Sequence, residues 1–373
     1  MCIGECILKI YLLATFFTII TMGMAHAQSD EGTTTHFPAL REETGRLVIN
    51  GAADTSALKP LVRDFQEVEP HIAVEYTDFV TNDLYREADI ACREGKNFGD
   101  LLMSSSVDQM VKLANDGCAV PHVSAQTRAI ENHANNWRDE VYGFTFEPSV
   151  IVYHSDYVLP QDVPHTRGEL ADLLRRKQEY FRRHVATYDL RQSGVGYLLA
   201  FLDAEQNSTA YGRLLESMSR VDTQLRCCNN SILADIEDQK IYIGYNIIGS
   251  YAYAASLRNP KLKIVLPRDY TLVLSRATLI PQKASQPELA ARFIDYLLSE
   301  RGRRVAREKA FFFSRDGALP AGVDGPPSLV ESGVGRPVRI GPALLATQDE
   351  AQRKRFIDDW TDVMASKDNR TTK

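Results

Sequence analysis

Four short apolar, strand-like runs each end in a step rich in hydroxyl side chains or glycine and then continue into a helical pattern. Runs 47–49 and 101–103 lead into Asp54-Thr55-Ser56 and Ser104-Ser105-Ser106, and runs 185–188 and 241–246 lead into Gln192-Ser193-Gly194 and Gly249-Ser250-Tyr251. Such a junction points backbone N–H groups and a helix N-terminus out of a sheet edge, where open α/β folds hold anions or polar ligands. Two junctions fall in each half of the chain, so the sequence predicts two lobes that face one cleft.

Two long extended runs divide the chain and predict where it passes between lobes. They cover residues 141–153, interrupted by Glu147 and Pro148, and residues 270–281. Such strands can act as hinges, although ordinary core strands would give the same pattern. At 373 residues the chain is long enough for two domains. We predict lobe 1 from residues 46–145 plus 271–315 and lobe 2 from residues 146–270 plus 316–373.

The N-terminus has the pattern of a cleaved secretory signal. Lys9 precedes an apolar run over residues 10–22, and Ala25-His26-Ala27 forms a small-x-small cleavage site. The apolar run is shorter than the ~20 residues of a membrane span, although an uncleaved anchor remains the alternative. We expect a periplasmic protein cleaved near Ala27, with residues 28–45 as a flexible polar leader.

Composition and motifs argue against several classes of function. Lys and Arg number 43 against 49 Asp and Glu, a net charge of −6 that disfavours nucleic acid as a partner. The sequence has no HExxH, Gly-x-Ser-x-Gly, P-loop or Cys-x-x-Cys motif. We therefore expect neither an enzyme nor a cofactor.

The cysteines suggest one disulfide. Cys92 and Cys118 could join the helix after the second strand to a later loop, since export permits disulfides. Adjacent cysteines rarely bond each other, so Cys227 and Cys228 are expected to be buried small apolar residues. No Cys and His spacing is typical of zinc.

Four stretches together resemble periplasmic solute-binding proteins of ABC importers. They include RLVINGAADTSALKPLVRDF, GDLLMSSSVDQMVKLANDGC, RHVATYDLRQSGVGYLLAF and IYIGYNIIGSY, and the similarity runs in order over residues 46–315. The branch they resemble contains binders of ferric ions, thiamine, phosphonates, phosphorylated sugars and polyamines. The resemblance implies two α/β lobes, each a mostly parallel sheet flanked by helices, joined by crossing hinge strands. It also implies delivery of the ligand to a permease at the inner membrane, and we expect the protein to be a monomer.

The resemblance also bears on the ligand. Iron-binding members carry a His, a carboxylate and paired tyrosines at places that fall here near Ala53, Ser105 and Ile247-Ile248, none of which can bind iron. A small organic anion, phosphorylated or carboxylated, is therefore favoured. The alternatives are a ferric site built from Tyr245, Tyr251 and Tyr253, or a ligand-sensing module for a sensor kinase.

Candidate ligand-binding residues follow from the junctions and strand ends. The expected donors of hydroxyl and N–H groups are Thr55, Ser56, Ser105, Ser106, Ser193, Gly194 and Ser250. The expected contacts to the organic part of the ligand, and to the cleft floor, are Tyr188, Asp189, Tyr245, Asn246, Asp269 and Tyr270. Arg191 and Arg268 are the candidate cations. For each serine, simple helix capping is the alternative, and a Glu147 facing the cleft would repel an anion.

Overall fold

The computed structural model describes residues 32–129, 135–311, 313–315 and 317–365. The predicted signal peptide, residues 1–27, lies outside these ranges. Within them, no helix combines the length and apolar character that a membrane span requires.

Strands and helices alternate along the described chain. The strands are β1 (Thr34–Phe37), β2 (Gly45–Gly51), β3 (Ile72–Asp78), β4 (Leu101–Ser104), β5 (Ala119–Val120), β6 (Asn136–Trp137), β7 (Val141–Gly143), β8 (Glu147–His154), β9 (Val185–Tyr188), β10 (Gln224–Arg226), β11 (Ile243–Ile248), β12 (Leu262–Val265), β13 (Thr271–Leu274), β14 (Ala277–Pro281), β15 (Val323–Asp324) and β16 (Gly335–Pro337). The helices are α1 (Thr55–Val68), α2 (Thr81–Arg93), α3 (Val107–Asn115), α4 (Ala125–Arg128), α5 (Arg167–Arg176), α6 (Gln178–Phe181), α7 (Gly194–Gln206), α8 (Ser208–Arg220), α9 (Asn229–Glu237), α10 (Gly249–Arg258), α11 (Pro287–Leu298), α12 (Glu300–Val305) and α13 (Glu350–Met364). Short 3-10 helices cover Pro160–Asp162 and Pro342–Gln348, and a π-helical turn covers Ala306–Ala310.

The strands form two sheets. The first has the order β1-β3-β2-β4-β14-β7-β6, with β5 also paired to β14, and the second has the order β10-β9-β11-β8-β12-β15, with β13 on β8 and β16 on β13. Helix α1 packs on the first sheet through Leu58, Leu61, Val62 and Phe65, all buried. Their i, i+3, i+4, i+7 spacing places them on one helix face.

Both sheets are mixed, whereas the sequence predicted mostly parallel ones. Crossover helices make β2 parallel to β3 and β4, and β9 parallel to β10 and β11. The strands next to each crossing run the other way: β14 is antiparallel to β4 and β7, and β8 is antiparallel to β11 and β12. The antiparallel pairs arise because the chain enters each sheet from the other one.

The chain passes between the sheets three times, twice through consecutive strands and a third time between the helices that follow β14 and strand β15 of the second sheet. It leaves the first sheet after β7 and enters the second with β8, and it returns between β13 and β14. Strand β13 pairs with β8 and β16 of the second sheet. The second crossing therefore lies at Ser275 and Arg276, and residues 271–274 do not join lobe 1 as the sequence suggested.

The polar segment before β2 is not wholly irregular. Within the predicted flexible leader, strand β1 pairs antiparallel with β3 at the edge of the first sheet. The buried Gln66 side chain of α1 donates hydrogen bonds to Phe37 O (3.1 Å) and Pro38 O (3.0 Å). These long-range bonds hold a segment whose threonines carry no apolar periodicity.

The predicted disulfide between Cys92 and Cys118 is confirmed. It joins the end of α2 to the residue before β5, with the two Cα atoms 5.5 Å apart. Cys227 and Cys228 are half-buried, not buried as expected, because they lie in the turn between β10 and α9.

The C-terminal 3-10 helix, Pro342–Gln348, bridges the two lobes. Thr347 Oγ1 donates a hydrogen bond to Asp108 Oδ2 of α3 (2.9 Å), and the Tyr197 hydroxyl of α7 donates to the Thr347 carbonyl (2.9 Å). This segment therefore contacts one helix from each sheet.

Candidate functional site

All four predicted junctions lead into helices. Helices α1 and α3 start at the first sheet, and α7 and α10 start at the second. Ser193 caps α7 by accepting the Gly196 N–H (3.1 Å), whereas Asp54 and Ser106 make no side-chain cap bond. The hydroxyl of Ser106 is thus not used as a helix cap.

The first turns of α2 and α3 both touch the first turn of α7 across the boundary between the lobes. Gly194 N–H donates to Thr81 Oγ1 (2.9 Å), and Asn82 Nδ2 donates to the carbonyl of Gln192 (2.9 Å). A Cβ on Gly194 would lie 2.6 Å from Ser106 Oγ and 2.6 Å from Gln109 Nε2. Only glycine allows this close approach.

Helices α1 and α10 form a second contact between the lobes. The Asp54 N–H donates to the Tyr251 hydroxyl (3.2 Å), and Arg276 donates from Nη1 to the Ala52 carbonyl (2.6 Å). The buried Tyr76 hydroxyl accepts the Ala53 N–H (3.0 Å) and so holds the loop in front of α1. The two pairs of junctions therefore face each other, as the sequence predicted.

A buried ion pair joins the two strand crossings, from β7 to β8 and from β13 to β14. Arg276 Nε lies 3.2 Å from Glu147 Oε1, and both side chains are almost fully buried. Thr145 Oγ1 (2.9 Å) and the predicted ligand residue Ser250, through Oγ (2.6 Å), donate to the same carboxylate. Burial alone lowers the pKa of Arg276, but the Glu147 carboxylate outweighs it and holds that pKa above its ordinary value. Glu147 is thereby neutralised, which removes the repulsion considered from sequence.

Four predicted ligand residues belong to a hydrogen-bonded network in the second lobe, in which Tyr245, Asn246 and Tyr270 are buried and Asp269 is exposed. Asp203 accepts hydrogen bonds from the Tyr245 hydroxyl (2.7 Å), Asn246 Nδ2 (2.9 Å) and the Tyr270 hydroxyl (3.0 Å). Arg167, fully buried, pairs with Asp203 (2.9 Å) and Asp269 (3.2 Å). Sequence reasoning missed Arg167 and Asp203, since nothing in their local pattern distinguishes a buried charge from a solvated one.

The other candidates have varied surroundings. The Tyr188 hydroxyl donates to Asn229 Oδ1 (2.6 Å). Burial tends to raise the pKa of Asp189, but hydrogen bonds from Arg191 hold that pKa below its ordinary value. Arg268 is half-exposed and pairs with Asp324 (2.8 Å), so both predicted cations have carboxylate partners.

The N-terminal donors differ in exposure. Thr55 is half-buried and Ser56 is exposed, whereas Ser105 and Ser106 are buried. Three buried polar atoms at the start of α3 have no hydrogen-bond partner in the described part of the protein: Ser106 Oγ, Asp108 Oδ1 and Gln109 Oε1. Buried polar atoms are normally paired, so such atoms require an explanation. Gln109 was not predicted, although it lies in the first turn of the helix that the three serines precede.

The metal alternative has little support from acidic, His or Cys side chains. Across the described residues, no group of three or more of them could hold a metal ion. Of the alternative tyrosine ligands, Tyr245 donates to Asp203 and Tyr251 accepts from Asp54. Burial raises the pKa of both hydroxyls above their ordinary range, which opposes the tyrosinate form.

Comparison with known proteins identifies the family to which this two-sheet chain belongs. Residues 47–312 match bacterial extracellular solute-binding proteins, and the chain belongs to that family. It is thus an extracellular solute-binding protein of the ABC-transporter type, and the family consists of binding proteins, not enzymes. No match was found among curated protein sequences.

Solved structures agree with this assignment. The substrate-binding protein of an ABC transporter from Agrobacterium tumefaciens shares 33% sequence identity, with a TM-score of 0.81 over 89% of this chain and 98% of that chain. AfuA from Actinobacillus pleuropneumoniae, with fructose-6-phosphate bound, has a TM-score of 0.67 and 14% sequence identity over 86% of this chain and 99% of that chain. Iron-bound HitA from Pseudomonas aeruginosa has a TM-score of 0.62 and 14% sequence identity over 85% of this chain and 99% of that chain. The last two show the fold alone.

Proposed function

We propose that this protein binds a small organic anion, phosphorylated or carboxylated, between its lobes and delivers it to an ABC permease from the periplasm. The observation that carries the proposal is that two of the three buried, unpartnered polar atoms at the start of α3 are Ser106 Oγ and Gln109 Oε1. The third, Asp108 Oδ1, belongs to a carboxyl group that accepts hydrogen bonds from Thr347 and Gln348 through its other oxygen. Ser106 Oγ and Gln109 Oε1 lie where the N-terminus of α7 meets those of α2 and α3. We place the ligand at this meeting point.

The chemistry of the two atoms narrows the ligand class. A helix N-terminus favours negative charge by about 0.3–1 kcal/mol, and up to ~2 kcal/mol when partly buried. Ser106 Oγ can donate to an anionic oxygen, whereas Gln109 Oε1 can only accept. A ligand that satisfies both carries an anionic group and a hydroxyl, as a sugar phosphate or a hydroxy acid does. AfuA, of the same fold, holds fructose-6-phosphate.

The charge of Glu147 is balanced by Arg276, and this balance supports the presence of an anion in the cleft. Its partner Arg276 also donates to the Ala52 carbonyl in the loop before α1. The guanidinium thus balances the carboxylate near the α1 and α10 junctions. The ferric alternative is less favoured because Tyr245 and Tyr251 are held as neutral hydroxyls; a ferric protein would be coloured after iron loading. Contact with a sensor kinase stays a prediction.

Thermal unfolding in the presence of single compounds tests the proposal. The panel contains sugar phosphates, phosphonates, hydroxy acids, inorganic phosphate and ferric citrate. We expect a rise in Tm with at least one phosphorylated or carboxylated organic compound. Ser106→Ala should lower the affinity for that compound about 10- to 100-fold, which corresponds to the loss of one hydrogen bond to a charged group.

The matched control is Ser208→Ala, which removes an exposed hydroxyl at the start of α8. It should bind as the unmodified protein does. A flat response to every organic anion, or a response to iron alone with visible colour, would contradict the proposal.

A further inference from the structure

The turn between β10 and α9 brings two adjacent sulfur atoms together. The Sγ atoms of Cys227 and Cys228 lie 2.7 Å apart. That distance is longer than the ~2.05 Å of a disulfide but well inside the ~3.5–4.0 Å of ordinary contact between non-bonded heavy atoms. Both cysteines are half-buried, so small oxidants and alkylating reagents can reach them.

The surroundings favour thiol chemistry at this turn. Ser231 Oγ lies 3.1 Å from Cys228 Sγ and 3.6 Å from Cys227 Sγ, within hydrogen-bonding reach of both sulfurs. Cys228 occupies the N-cap position of α9, a nine-residue helix. Negative charge on sulfur is favoured at a helix N-terminus, and the thiolate is the form that attacks a disulfide.

We propose that Cys227 and Cys228 are a redox modification site that cycles between a dithiol and a vicinal disulfide. The oxidant is another disulfide, such as oxidised glutathione or an exported dithiol–disulfide exchange protein. One thiolate attacks the oxidant and releases one thiol, leaving a mixed disulfide. The second thiolate then attacks the sulfur of the first and releases the second thiol. The pair loses two protons and two electrons, and the oxidant becomes two thiols.

The geometry would make a disulfide between Cys227 and Cys228 easier to reduce than the disulfide between Cys92 and Cys118. Adjacent Cα atoms across a trans peptide are ~3.8 Å apart, below the ~4.4–6.8 Å that disulfides usually span. Cys92 and Cys118 have Cα atoms 5.5 Å apart, inside that range. Strained, accessible disulfides are typically the labile and regulatory ones.

The next residue connects this turn to the junction strands. Asn229 Oδ1 accepts hydrogen bonds from the Tyr188 hydroxyl (2.6 Å) and from the Ile248 N–H (2.9 Å). Tyr188 ends β9 and Ile248 ends β11, the strands that lead towards α7 and α10. Closing the ring changes the backbone at Cys228 and so disturbs both bonds. The consequence for ligand affinity rests on the proposed function, whereas the modification itself does not.

Peptide mass mapping across a glutathione redox series tests the site. Trypsin cleaves after Arg226 and Lys240, so both cysteines fall in one peptide, residues 227–240, with no other cysteine. We expect this peptide to be about 2 Da lighter, and resistant to alkylation, under oxidising conditions. Under milder reduction than the Cys92–Cys118 pair requires, it should take up two alkyl groups.

Single variants and hydrogen exchange complete the test. In Cys227→Ser, Cys228 should carry a glutathione adduct with no loss of mass. Amide exchange at Ile248 should accelerate at least about tenfold in the oxidised wild-type protein, because its acceptor Asn229 moves. Two alkylated cysteines at every redox ratio, a link to another peptide, or unchanged exchange would overturn the proposal. None of these measurements needs a ligand, so they remain decisive if the anion panel fails.

Discussion

Glu147 and Arg276 form an ion pair across the two strand crossings, where each segment passes from one sheet to the other. The pair is the one charged contact described here that both crossings share, and it is almost completely excluded from solvent. It therefore ties the relative position of the lobes to the balance of two buried charges.

Removal of the guanidinium should be costly. Arg276→Met leaves the Glu147 carboxylate buried without its counter-charge, and we expect a loss of about 3–5 kcal/mol in the free energy of unfolding. Guanidinium chloride unfolding measures it. The double variant with Glu147→Leu should recover much of the loss, and Arg46→Ala, at an exposed pair with Glu43, should have little effect. A single variant as stable as wild type would disprove the buried pair.

A methyl group at the closest contact between lobes should separate them. Gly194→Ala places a Cβ 2.6 Å from Ser106 Oγ, so we expect a larger radius of gyration by X-ray scattering and at least tenfold weaker binding of the panel ligand. Gly212→Ala in α8 is the matched control, since its Cβ would meet nothing within 4 Å. That change should add about 0.5–1 kcal/mol of stability through helix propensity. Equal effects of the two variants would count against the close contact.

Loss of the confirmed disulfide should destabilise the first lobe without changing the site. Cys92 and Cys118 are separated by 26 residues, for which loop closure predicts about 3–4 kcal/mol. The Cys92→Ala/Cys118→Ala variant should unfold at lower denaturant concentration and bind the panel ligand as before. Weakened binding at a temperature where the variant is folded would show that the disulfide also shapes the site.

Asp108 should make stability depend on pH in a defined direction. Burial raises the pKa of Asp108, with Thr347 and Gln348 hydrogen bonds opposing the rise. A carboxyl whose folded pKa exceeds its unfolded value adds stability below the unfolded pKa and loses that contribution as the pH rises through the folded pKa. Asp108→Asn should therefore gain stability relative to wild type as the pH increases from about 3 towards 7. Urea unfolding at several pH values would reveal this trend, and an opposite slope would contradict it.

Tyr245 should prove structural. Its hydroxyl donates to Asp203, so Tyr245→Phe removes one donor from a buried carboxylate and should cost about 1–3 kcal/mol of stability. We expect ligand affinity within about twofold of wild type by calorimetry. Tyr253→Phe, on a half-buried tyrosine of α10, is the comparison. Loss of ligand binding in Tyr245→Phe but not in Tyr253→Phe would show that the Tyr245 hydroxyl contacts the ligand.

The sequence predicted the architecture better than the surroundings of individual side chains. The four junctions and the crossings follow from local signals, namely apolar runs, small residues and helical spacing. The contacts of Glu147 with Arg276, and of Asp203 with Arg167, join residues 129 and 36 positions apart. No local pattern predicts such partners, because burial of a charge is decided by tertiary packing. For the same reason, the sequence does not predict that Tyr245 and Tyr270 donate hydrogen bonds to Asp203.

Strand β14 has a consequence for how the protein is made. It lies between β4 and β7 in the first sheet, although the chain builds most of the second sheet before it returns. Until residues 277–281 arrive, β4 and β7 each present an unpaired edge, and open edges promote association between chains. Nascent or truncated forms ending before β14 should therefore need a chaperone to stay unaggregated, whereas the finished chain should not.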